Sequence, residues 1–111
     1  MTCIDLSVED LLGCSFGLSK REVAVLLKLL LFRSWVPVSD VAAKTLRDRS
    51  VVQRSLQKLV EKGIAERSQR NRAGGGYEYL YRARDKAALK RAMIEKSRAF
   101  CRAVAAQVGQ W

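Results

Sequence analysis

At 111 residues and 49% hydrophobic side chains, the chain suits one domain, 1–111, with a modest core, and is not one that stays disordered throughout. Twenty-one lysines and arginines against 11 aspartates and glutamates leave a formal charge of +10, which attracts polyanions: nucleic acid first, with an acidic membrane or acidic protein surface as the other takers. There is no histidine, Cys3, Cys14 and Cys101 form no C-x-x-C pair, and the carboxylates are scattered. No metal site, no cofactor and no enzymatic activity is therefore expected. The three cysteines read as reduced, partly buried thiols, with a redox-sensing pair as the sharper alternative. No apolar run reaches the ~18–20 residues that cross a bilayer, since Lys28 interrupts Val23 to Phe32. The opening Met1-Thr2-Cys3-Ile4-Asp5 lacks the order of a secretory signal, so no membrane association and a cytoplasmic location are expected.

In chain order, Ser7 with Asp10 three residues on forms a capping box for a helix to about Phe16, with Val8, Leu11, Leu12 and Phe16 on one face and Gly17 at its end. Ser19-Lys20-Arg21-Glu22 repeats the device. It opens a scaffold helix whose apolar face carries Val23, Leu26, Leu27, Leu30 and Leu31. Pro37 holds Trp35 to Val38 extended, as a short strand. A helix begins at Ser39-Asp40 and runs through Lys44, with Val41, Ala42 and Leu46 turned to the scaffold. After the break Leu46 to Arg49, a second helix spans 50–62. There Val52, Leu56 and Leu59, at steps of four and three, form a buried stripe. Arg49, Ser50, Gln53, Arg54, Gln57 and Lys58 fall outside it, while Val51 suits either partial burial or a thymine methyl. Ser50 is read both as an N-cap and as part of the outward helix start.

Gly63 closes that helix, and strands Ile64 to Arg70 and Tyr77 to Ala83 flank the turn Asn71 to Gly76. Gly74 to Gly76 precede a strand and lack a following lysine-serine pair, unlike a phosphate-cradling loop. Tyr77, Tyr79 and Tyr81 alternate on one strand face, as packing residues before base-stacking platforms. A long helix from about Asp85 to Val108 ends the chain. Its apolar residues Leu89, Met93, Phe100, Val104, Val108 and Trp111, with Ser97 among them, repeat near 3.7 residues and extend past one small domain. They are the expected contacts of a homodimer, joined by the N-terminal helix.

The expected fold is mainly α with a small β-hairpin (α+β). It is a winged helix-turn-helix over 18–83, flanked by an N-terminal helix (1–17) and a C-terminal dimerisation helix (84–111). Residues 44–72 carry nine basic groups against three acidic, and residues 82–102 eight against two, so the charge surplus lies on the second helix, the hairpin and the last helix. Arginine can bind guanine and glutamine can pair with adenine in the major groove, which singles out Arg54 and Gln53, then Arg49 and Ser50. Gln57, Lys58, Lys44 and Arg47 suit backbone phosphates. Arg67, Arg70 and Arg72 on the wing suit a minor groove or phosphate. Two rivals share these residues: a sequence-indifferent chromatin or RNA binder, and a winged helix that contacts acidic protein in the transcription machinery.

The run Leu18-Ser19 to Leu31, then Val38 to Ala42, Arg49 to Arg54, Leu56, and Leu59-Val60-Glu61-Lys62-Gly63-Ile64-Ala65-Glu66-Arg67 resembles small prokaryotic, especially archaeal, winged-helix transcription regulators of the TrmB-like and MarR-like groups. The resemblance spans about residues 18–83. It implies sequence-selective binding of double-stranded DNA as a homodimer that represses or activates nearby genes. Ser50, Gln53 and Arg54 would face DNA, with the arginine-bearing wing beside it. TrmB regulators carry a sugar-sensing domain that 111 residues leave no room for, and MarR proteins a longer helical dimerisation region. No effector is therefore carried over from either.

Overall fold

The computed structural model describes residues 6–111. Five helices and three strands follow in the order α1 (Val8–Phe16), α2 (Lys20–Leu29), β1 (Val36–Pro37), α3 (Val38–Thr45), α4 (Arg49–Glu61), β2 (Ala65–Asn71), β3 (Tyr77–Ala83) and α5 (Lys86–Gln110). This is the α+β order expected of a winged helix-turn-helix. Cys3 lies outside the described residues. Among the described residues, no helix is long and apolar enough to cross a membrane.

Both capping boxes form as the spacing requires. The Ser7 hydroxyl accepts from the Asp10 amide at 3.1 Å and the Ser19 hydroxyl from the Glu22 amide at 3.2 Å. Each acidic side chain reaches back to the cap's own N–H. In the centre lies α2, touching α1, α3, α4 and β3. Because neighbours cover it on several sides, Val25 and Leu29 are fully buried beside Val23 and Leu26, wider than the face expected from periodicity. Leu31 falls beyond the helix end and is exposed, contrary to its expected place on that face. On α1, Leu12 packs inward, whereas Val8 and Leu11 stay exposed.

The sheet is antiparallel in the order β1-β3-β2, with Val36 and Arg67 both opposite Tyr81. Burial of the tyrosines falls along β3 toward the hairpin tip: Tyr81, flanked by β1 and β2, is buried, Tyr79 half-buried and Tyr77 exposed. At that tip the Arg72 amide donates to the Gly76 carbonyl at 3.0 Å, while Gly75 and Gly76 hold φ of 96° and 77°, which favour glycine.

Besides shifts of one or two residues at the ends of α4, β2 and α5, three details of the helix-turn-helix differ from expectation. Helix α3 starts at Val38 with Pro37 as its cap residue, not at Ser39. Leu46 takes φ 55° as the residue that ends α3, so its side chain points to solvent, 92% exposed, instead of toward α2. Asp48, not Ser50, occupies the cap position of α4, and the Ser50 hydroxyl donates to the Asp48 carboxylate at 2.7 Å.

Only the start of α5 joins the body. Leu89 is buried and Met93 half-buried, whereas every residue from Ile94 to Trp111 is exposed. The projecting helix gives the molecule a long axis of 64 Å against 23 and 21 Å. Cys14 on α1 and Cys101 on α5 are both exposed rather than partly buried, the second because none of the described residues covers that stretch of helix.

Candidate nucleic-acid interface

The second helix of the helix-turn-helix divides its residues as the sequence predicts. Val52, Leu56 and Leu59 have no exposed surface, Ser55 is buried with them, and Val51 is half-buried. Arg49, Ser50, Gln53, Arg54, Gln57 and Lys58 are all exposed. With 3.6 residues per turn, Arg49 and Gln53 form one edge of this outward face, Arg54 and Lys58 the other, and Ser50 and Gln57 lie between them. The result is a ridge of donors on a rigid apolar footing.

Each edge faces a different neighbour. Arg49 and Gln53 share a cleft of about 150 Å³ with Arg72, Tyr77 and Glu78 of the hairpin. Arg54, Gln57 and Lys58 line a wider groove of about 660 Å³ with Lys20 and Arg21, at the start of α2. Sequence reasoning missed those two cations because they read as the middle of a capping box. The visible clue was the charge of a helix N-terminus, where backbone N–H groups also favour anions. Lys44 and Arg47 are exposed on the last turn of α3 and the following turn.

The hairpin arginines are exposed but engaged within the hairpin. Arg67 stacks over the Tyr79 ring at 4.3 Å, and Tyr79 meets Tyr77 edge-on at 5.4 Å between centroids. Arg70 donates through Nε to the Glu78 carboxylate at 3.0 Å and also pairs through Nη2, while Arg72 reaches the other Glu78 oxygen at 3.3 Å. Arg70 and Glu78 are direct cross-strand partners, so the ladder register enforces the pair. The Arg70 hydrogen bond leads in holding the Glu78 carboxyl below the usual carboxylate range, with Arg72 adding to it. The sign follows: the pairing supports the hairpin above the ordinary carboxylate pKa, and that support fades as pH falls through the lowered value. One carboxylate thus screens two of the hairpin's four arginines, Arg70 and Arg72. Exposed pairs of this kind are weak, so a phosphate can displace them at little cost. Of the three tyrosines only Tyr77 offers an open ring face, because Tyr81 is core and Arg67 covers Tyr79.

A family model described as sugar-specific transcriptional regulator TrmB matches residues 12–87. An uncharacterised protein of Methanocaldococcus jannaschii is 36% identical over 81 residues, 73% of this chain and 61% of the relative. A second from the same organism is 34% identical over 79 residues, 71% of this chain and 64% of that relative. The chain therefore spans less than two thirds of the length of either relative. Among solved structures, one described as a possible transcriptional regulator from Methanosarcina mazei Go1 superposes with a TM-score of 0.87 at 29% identity, covering 100% of this chain and 93% of that one. A protein of the thermoacidophilic archaeon Sulfolobus tokodaii superposes with a TM-score of 0.70 at 20% identity, covering 86% and 93%, a likeness of fold.

Proposed function

This chain belongs to the TrmB family of sugar-specific transcriptional regulators, and on that footing we propose that it is a sequence-selective regulator that binds double-stranded DNA as a homodimer. Helix α4 enters the major groove and the β2–β3 hairpin lies on the adjacent backbone or minor groove. The observation that carries this reading is the α4 ridge: six donor-bearing side chains outward, with Val52, Leu56 and Leu59 buried beneath. Arg54 and Gln53 read bases, with Arg49 and Ser50 beside them. Lys44, Arg47, Gln57 and Lys58 hold phosphates, and we add Lys20 and Arg21 from the rim of the same groove.

Exposure of Phe100, Val104, Val108 and Trp111 on a helix that leaves the body supports a second copy of the chain as their cover, with Leu89 and Met93 anchoring α5 at its base. A two-fold pair of such chains sets its docking helices about 34 Å apart, or a multiple of that turn, on a nearly palindromic site.

The direct test uses duplexes selected from a random pool. Arg54→Ala should weaken the selected site by about 1–3 kcal/mol and relax preference at one base position. Equal loss on selected and random DNA would make Arg54 a phosphate contact. Arg72→Ala should instead weaken all duplexes alike and flatten the dependence of affinity on salt, because each phosphate contact contributes about one released counterion. An unchanged salt slope would remove the hairpin from the interface.

A further inference from the structure

A second basic cavity lies at the far end of the docking elements. About 410 Å³ in volume, it opens between the end of α1, the junction of α4 with β2, and the first turns of α5. Lys62, Arg84 and Lys96 line its mouth, and Phe16, Ile64 and Leu89 contribute apolar walls. No carboxylate among the described residues lines it. Among the described residues, none of the three cations is in an ion pair with an acidic side chain.

One of these cations, Lys62, is held in place by the chain. The Lys62 ammonium donates to the carbonyls of Phe16 at 3.1 Å and Gly17 at 3.0 Å, which fixes two of its three N–H groups and leaves one unspent. Gly17 permits that approach: a Cβ there would sit 3.2 Å from the Lys62 nitrogen, and its φ of 65° also favours glycine. Lys96 stands over the Phe16 ring at 5.9 Å. The Arg84 backbone N–H donates to the Ile64 carbonyl at 3.0 Å, and among the described residues its guanidinium has no acidic partner. Three positive groups lining one cavity, with no counter-charge among the described residues and with an apolar floor, suit a small anion with an apolar portion.

Of the α4 residues proposed for DNA contact, Lys58 stands one turn before Lys62, while the base-reading start of the helix and the hairpin tip are far off. Lys62 lies a whole helix away from Arg49, and Ala65 a whole strand away from the hairpin tip, each roughly 20 Å along the element. We propose that this cavity is an effector site for a small phosphate-bearing molecule, whose phosphate is gripped by Lys62, Arg84 and Lys96 and whose apolar part rests on Phe16 and Leu89. Lys62 ends the docking helix while Lys96 belongs to α5, so a bound anion ties the two elements together. Control of DNA binding by that tie rests on the proposed function; anion binding itself does not.

The test uses pyrophosphate as the probe, on the full chain without DNA, at constant ionic strength set by sodium chloride. Calorimetry should give a saturable affinity that falls at least tenfold in the double variant Arg84→Gln/Lys96→Gln. It should be unchanged in the control Arg49→Gln/Arg54→Gln. Backbone amide shifts in the unmodified protein should centre on Lys62 to Ile64 and Ala88 to Lys96, a readout that needs no variant to fold. The proposal is overturned if binding falls in the control instead, which would put the anion on the DNA face. Equal affinity in all three proteins, or no saturable binding, overturns it as well.

Discussion

Placing glutamate at both Phe100 and Val104 should convert the protein to a monomer that still folds. Both side chains are exposed on one chain, 68% and 45%, and no residue beyond Met93 is buried or half-buried, so the substitution disturbs no internal packing. The melting temperature of the isolated chain should then move little. Two copies together are a different matter, because an apolar seam closed against itself cannot accept four adjacent carboxylates. Linking two half-site contacts raises affinity over one contact by roughly 10²–10⁴-fold, and that advantage should disappear for a two-half-site duplex. Affinity for a single half-site should stay within a few fold. Sedimentation equilibrium and titrations on the two duplexes separate these outcomes, and a variant that remains dimeric would exclude α5 as the interface.

Neighbouring residues on α4 should have opposite effects. Leu56→Ala removes a fully buried side chain beneath the ridge and should cost about 2–5 kcal/mol of stability, the range for deleting a leucine from a packed core. Val52 and Leu59 flank it without exposed surface and leave little freedom to fill the void. Gln57→Ala, one residue on and exposed, should change stability by no more than about 0.5 kcal/mol while weakening DNA binding. Urea unfolding of the two variants reads the first quantity and duplex titration the second. A Leu56→Ala cost below about 0.5 kcal/mol, the level of an ordinary surface change, would mean that α4 is not footed on the core.

What the sequence disclosed follows from which signals are local. Capping boxes at Ser7 and Ser19 are bonds between residues three apart, and both appear where the spacing requires. The stripe Val52, Leu56 and Leu59 is periodic on a helix packed on one side, so it too was legible. Helix α2 obscured its own pattern, since contacts with α1, α3, α4 and β3 bury Val25 and Leu29 along with the expected face. Leu46 breaks its pattern: an apolar residue between two helices reads as inward, whereas its left-handed backbone turns it out to solvent. The sequestering of Arg70 and Arg72 by Glu78 depends on strand register, and the approach of Lys20 and Arg21 to Arg54 depends on how α2 crosses α4. Those are tertiary facts that no window of sequence contains.

The central claim, that the outward face of α4 meets DNA, is tested most directly by following backbone amide shifts of labelled protein as a selected duplex is added at physiological salt. The largest changes should fall between Arg49 and Lys58, with a second set at the hairpin tip around Arg72 to Tyr77. Changes confined to α1 and α5, with α4 silent while the duplex is bound, would contradict it.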